Sequence, residues 1–161
     1  REKFPGVMDM ACNTFLKIAQ NTSEQFVKLQ EGEAALYLDL IRRIPDETSE
    51  LSSDSFKLLF YEAIGHIISS EQRLETKTNY IRGTLGQNYD EYNRILQTAQ
   101  TNPEILKDDN VEAKINFFLR INERLAYSVG LPYGSFLVQF NDTLNKLFIY
   151  YCTETENQVE A

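Results

Sequence analysis

The chain has 161 residues, 42% of them hydrophobic and 25% charged, with ten Phe and nine Tyr but no Trp. That is enough apolar material for one domain with a real core. Sixteen basic against 24 acidic residues leave a net charge of −8, which argues against a nucleic-acid or anionic-membrane surface because both require a basic footprint.

From residue 6 to 20 the apolar positions are Met8, Ala11, Cys12, Phe15, Ile18 and Ala19, at the three- and four-residue offsets of one helix face. Asp9, Asn13, Lys17 and Gln20 take the other side. After the polar break Asn21-Thr22-Ser23, a second helical region is predicted over 24–44, divided near Gly32 and stopped by Pro45. Ser53 or Asp54 can cap a third helix, 54–70, with Phe56, Phe60, Ala63, Ile64 and Ile67 inward and Glu62, His66 and Ser69 on its polar side. A fourth is predicted over 71–100, anchored by Leu74, Ile81, Tyr92, Ile95, Leu96 and Ala99, with a bend at Gly83 and Gly86. Pro103 opens a short turn, and Asp109 with Glu112 resembles a capping box at the head of a fifth helix, 109–129, closed by Gly130. A last helix is predicted over 134–154, with Leu137, Phe140, Leu144, Leu147 and Tyr151 on one face.

No alternating strand pattern competes, so the predicted class is all-α. Helix–turn–helix units recur at roughly 40–55 residues, close to the 40–47 of HEAT repeats. Periodicity alone leaves a closed bundle and an open stack both standing. No apolar run approaches the ~20 residues that cross a bilayer, and no signal peptide opens the chain. Its start, Arg1-Glu2-Lys3-Phe4, leads us to expect an internal segment of something longer. Cys12 and Cys152 are far apart in apolar helical settings and read as buried, reduced thiols rather than a disulfide framework.

Catalytic chemistry finds little footing. His66 is the sole histidine, and a zinc site needs three or four convergent ligands. Gly83-Thr84-Leu85-Gly86 lacks the Lys-Ser/Thr ending of a phosphate loop. The carboxylates Asp39, Asp46, Glu47 and Glu50 read as a solvated helix end. Asp108-Asp109-Asn110 lacks the rest of a calcium loop. The expectation is no enzyme, no cofactor and no metal. Asn122 falls within the inward series Val111, Ile115, Phe118, Leu125 and Val129, so its amide is expected to satisfy a buried group of a neighbouring helix.

Three stretches together resemble the exportin-1 family of nuclear export receptors, within the karyopherins. They are Gly6-Val7-Met8-Asp9-Met10-Ala11-Cys12-Asn13-Thr14-Phe15-Leu16-Lys17-Ile18-Ala19-Gln20, then Phe60-Tyr61-Glu62-Ala63-Ile64-Gly65-His66-Ile67-Ile68, and Gln97-Thr98-Ala99-Gln100 with Asn102 to Asp108. Asn13 stands where that family commonly has Asp, and residues 31–50 match poorly.

The resemblance implies that 1–161 is a segment of a HEAT-repeat solenoid of about three helix pairs. Inner helices would lie at 7–20, 54–70 and 109–129, and outer helices at 33–44, 71–100 and 134–154. It further implies a shuttling transport receptor that carries cargo with leucine-rich export signals through the nuclear pore. Its partners would be RanGTP, such cargo and nucleoporins, with no direct nucleic-acid or membrane contact. By the same resemblance the cargo groove and its reactive cysteine lie just upstream, so Cys12 does not inherit that role and this segment is scaffold beside the groove. Asp9, Asn13, Lys17, Arg120 and Glu123 on the inner polar stripes are the candidate protein contacts, facing Ran or else holding adjacent repeats together. A generic helical-repeat adaptor is the alternative reading.

Overall fold

A computed structural model describes residues 5–28, 36–51, 53–130, 141 and 143–148. Among these there is no strand. The helices are α1 (Pro5–Val27), α2 (Leu36–Glu50), α3 (Asp54–Ser69), α4 (Leu74–Thr101) and α5 (Asp109–Val129), with a short 3-10 helix (Pro103–Lys107) between the last two. Residues 143–148 are again helical.

Local chemistry explains most boundaries, and several differ from the periodicity reading. The polar break expected at Asn21-Thr22-Ser23 is present inside α1, where two helical stretches meet. It becomes a kink with Thr22 at φ −131° and ψ 20°. There the Asn21 side chain donates to the Lys17 carbonyl at 2.7 Å and Thr22 Oγ1 to the Ile18 carbonyl at 2.8 Å, absorbing groups the kink disturbs. The predicted stop at Pro45 is absent, since α2 runs on to Glu50. Proline forfeits one backbone hydrogen bond there without ending the helix. Position Gly32 lies outside the described residues.

Ser53 caps α3, its Oγ accepting from Ser55 N at 3.2 Å. The head of α4 shifts to Leu74 because Glu71 turns back to accept from the Arg73 backbone N–H at 2.8 Å and from Arg73 Nε at 3.1 Å. Leu74, expected as an anchor, is therefore at a helix start and 59% exposed. Gly83 and Gly86 do not break α4, which is continuous over 28 residues. Each glycine costs about 1 kcal/mol of helix propensity. Buried Ile81, Thr84 and Leu85 on one half and Tyr92, Leu96 and Ala99 on the other outweigh that. The cap of α5 is Asp108 rather than Asp109, with Oδ1 accepting from Asn110 N and Val111 N. Gly130 closes α5 at φ +69°, a conformation that favours glycine.

Packing arranges these helices in two rows. α3 lies between α1 and α5 and packs extensively on both, while α2 packs against α4. Residues 143–148 extend the second row. Tyr92 Oη donates to the Thr143 carbonyl at 2.9 Å, and Lys146 Nζ reaches Tyr89 Oη and Asn93 Oδ1. A closed bundle would bring α1 and α5 together, whereas α3 separates them. The chain is an open stack of helix pairs, a helical-repeat solenoid segment.

Its main core fills the space between the rows, with Ile64, Ile67, Leu85, Ile121, Leu125 and Tyr37 at 0% exposure. Burying each such side chain contributes roughly 1.5–3 kcal/mol. A second cluster joins Tyr92, Leu96, Ile115, Phe118 and Leu147, with Tyr92 and Phe118 stacked at 4.7 Å.

α1 departs most from its predicted face. Ala19 is fully buried, but Ala11 is exposed, Ile18 is 46% exposed and Cys12 is only half-buried. The contact is rotated toward Phe15, Leu16 and Phe26, because Phe15 stacks on Phe60 of α3 at 5.5 Å and meets Phe26 edge-on. Of the predicted last helix, Leu147 is buried and Leu144 is 43% exposed. Leu137, Phe140, Tyr151 and Cys152 lie outside the described residues.

Candidate functional site

The solvent side of the α1–α3–α5 row carries a connected polar track. Glu62 and His66, one turn apart on α3, point to different neighbours. The Glu62 carboxylate accepts from Arg124 Nη1 of α5 at 3.0 Å, and the His66 Nε2 lies 3.3 Å from the Gln20 amide nitrogen of α1. With that amide donating, the ring nitrogen must accept, which requires a neutral imidazole. Burial lowers the His66 pKa from its ordinary value, with the Glu62 charge pulling weakly the other way.

Glu62 is not the solvated residue its polar setting predicts. Its side chain is 11% exposed and that of Arg124 is 47% exposed. A carboxylate so enclosed is tolerated because it is paired. Where α3 and α5 meet, the helices come unusually close, since a Cβ on Gly65 would sit 1.8 Å from Ser128 Oγ. Glycine permits that approach.

Of the sequence candidates, Asn13 and Lys17 are exposed on α1, and Arg120 and Glu123 are exposed on α5. The backbone of Asp9 belongs to α1, but its side chain lies outside what is described. The two groups flank α3 and do not converge on one point. They line the approaches to the track instead, as Lys17 precedes Gln20 by one turn and Arg120 precedes Arg124 by one turn. Tyr127, 77% exposed, completes the α5 stripe of Arg120, Glu123 and Arg124. Its i, i+3, i+4, i+7 spacing was the signal that would have found it. Exposed Tyr and Arg are the residue types that dominate protein interfaces.

Asn122 corrects another expectation. It is fully buried, but its amide nitrogen donates at 2.8 Å to the Phe118 carbonyl of its own helix rather than to a neighbour. Its Oδ1 has no hydrogen-bond partner among the described residues.

Among the described residues no three His, Cys, Asp or Glu side chains gather as metal ligands would. A recess between α4 and α5, lined by Tyr92, Ile95, Phe117 and Phe118 and rimmed by the 2.8 Å Lys114–Glu91 ion pair, measures about 50 Å³. That admits a water molecule or two and no peptide. The polar track and the α5 stripe form exposed surface rather than a pocket.

No family model matches the chain. Among curated proteins it is similar to Exportin 1B of Arabidopsis thaliana, 30% identical over 92% of this chain. It is 30% identical to Exportin-1 of Schizosaccharomyces pombe over 80% of this chain. To Exportin-1 of Drosophila melanogaster it is 26% identical over 99%. It spans 14%, 12% and 15% of those relatives respectively. A match at this level along nearly the whole chain, on an open stack of helix pairs, places this segment in the exportin-1 family.

Proposed function

We propose that this segment is scaffold next to the cargo groove of a nuclear export receptor, which carries cargo bearing leucine-rich signals through the nuclear pore with RanGTP. The observation that carries the reading is the 30% identity to Exportin 1B over 92% of the chain. The two-row stack supports it, because a solenoid is built of such pairs. In this reading the cargo groove lies upstream, this segment is scaffold beside it, and the receptor shuttles between nucleus and cytoplasm. No catalytic step and no cofactor enter. Asp9, Asn13, Lys17, Arg120 and Glu123 remain contact candidates, joined by Tyr127. Co-precipitation of the full-length parent with a leucine-rich signal peptide, with and without RanGTP, tests this. RanGTP-dependent capture is expected, and capture indifferent to both signal and RanGTP favours a generic helical adaptor.

A further inference from the structure

The two rows are held differently. Between α1, α3 and α5 an apolar core, with Gly65 admitting Ser128, is edged by the polar pairs Glu62–Arg124, His66–Gln20 and Ser70–Ser23, none of them a tyrosine hydroxyl. In the second row, each described contact between successive helices contains a buried tyrosine hydroxyl. Tyr37 of α2 is 0% exposed, and its Oη lies 2.8 Å from Thr84 Oγ1 and 3.3 Å from the Tyr80 carbonyl of α4. Tyr92 of α4 is 2% exposed, and its Oη donates at 2.9 Å to the Thr143 carbonyl. Both threonines are themselves buried, Thr84 at 2% and Thr143 at 0%.

We propose that these tyrosine–threonine contacts are latches that hold successive second-row helices in one longitudinal register and so set the curvature of the array. Apolar packing is non-directional and tolerates small slides. A hydroxyl contact is lost within a fraction of an ångström beyond hydrogen-bonding range. In a buried site the stranded hydroxyl then carries its full desolvation penalty, so a slid helix is disfavoured out of proportion to the distance moved. Each repeat in a stack touches only its neighbours, so a slip per repeat accumulates into overall shape. Burial also holds the Tyr37 phenol well above its usual pKa range, keeping the hydroxyl a neutral donor. The ring itself, 4.2 Å from the Tyr80 ring, would pack equally well without its oxygen.

The test separates register from stability. Tyr37→Phe keeps the ring, and adding Thr84→Val removes the facing hydroxyl together with its 2.9 Å bond to the Tyr80 carbonyl of its own helix, giving a matched apolar contact. Spin labels at exposed Asp39 and Arg82, in a Cys12→Ser, Cys152→Ser background of the full chain, report the α2–α4 distance by double electron–electron resonance. The double variant should keep its urea midpoint while the distance distribution broadens or shifts by about 1–2 Å, the scale on which packed helices slide. A distribution unchanged from the parent, or one that broadens only in step with the unfolded fraction, overturns the proposal.

Discussion

Replacing Gly65 by alanine sets two opposing effects against each other at one atom. In an exposed helix interior the change stabilises by about 1 kcal/mol through helix propensity. Here the added Cβ would lie 1.8 Å from Ser128 Oγ, 2.8 Å from Ser128 Cβ and 3.2 Å from the Leu125 carbonyl oxygen. Rotating the Ser128 hydroxyl relieves the first contact and leaves the other two, so α3 and α5 must separate by several tenths of an ångström. Overpacking of this kind costs typically 1–3 kcal/mol, and the separation also pulls at the Glu62–Arg124 pair. The expected net is a destabilisation of up to about 2 kcal/mol.

Gly86 of α4 is the internal control, because nothing stands within 4 Å of its Cβ position. Gly86→Ala should therefore stabilise by about 1 kcal/mol. The chain has no Trp, so urea unfolding is followed by helical circular dichroism, the midpoints compared at constant slope. Ser128→Gly in the Gly65→Ala background should restore most of the loss. If Gly65→Ala stabilises as much as Gly86→Ala, the close approach of α3 and α5 is wrong.

Asn122→Leu removes a buried acceptor with no described partner, so it should leave urea stability unchanged or raise it by about 1 kcal/mol. A loss larger than that would mean Oδ1 is satisfied. A double-mutant cycle on Glu62→Gln and Arg124→Ala should give a coupling of about 1 kcal/mol, the upper end for exposed pairs because only one partner is enclosed. A coupling of zero would remove the pair from the track. The lowered His66 pKa makes the folded state prefer the neutral ring. Its contribution is thus complete above the ordinary value of 6.5 and is lost as pH falls through 6.5 toward the depressed value. The stability difference between the parent and His66→Gln should shrink from pH 7 to pH 5, and a constant difference would refute the assignment.

The helices of the first row were legible where one face is buried continuously. On α5 the series Ile115, Phe118, Asn122, Leu125 and Val129 is buried as spaced, because two neighbours clamp that face along its length. α1 was read less well: its pattern allows two apolar faces, and only the stacking of Phe15 on Phe60 chooses between them. No break in α4 occurs at Gly83 or Gly86, because helix propensity is a small local term and both halves of α4 are anchored in cores. The pairing of Glu62 with Arg124 joins residues 62 positions apart, a relation no local spacing carries. The family resemblance, by contrast, was legible in three short stretches, of which the run from Gly6 to Gln20 is the longest.

We propose that this segment supports a cargo groove built elsewhere in an export receptor. A fluorescent leucine-rich export peptide titrated against the 161-residue segment and against its full-length parent, each with and without RanGTP, tests it most directly. RanGTP-enhanced binding by the parent and very weak or no binding by the segment are expected, because cooperation of that kind is a coupling between sites and needs both. Binding by the segment alone at about micromolar affinity would contradict it and move the groove into α1–α5.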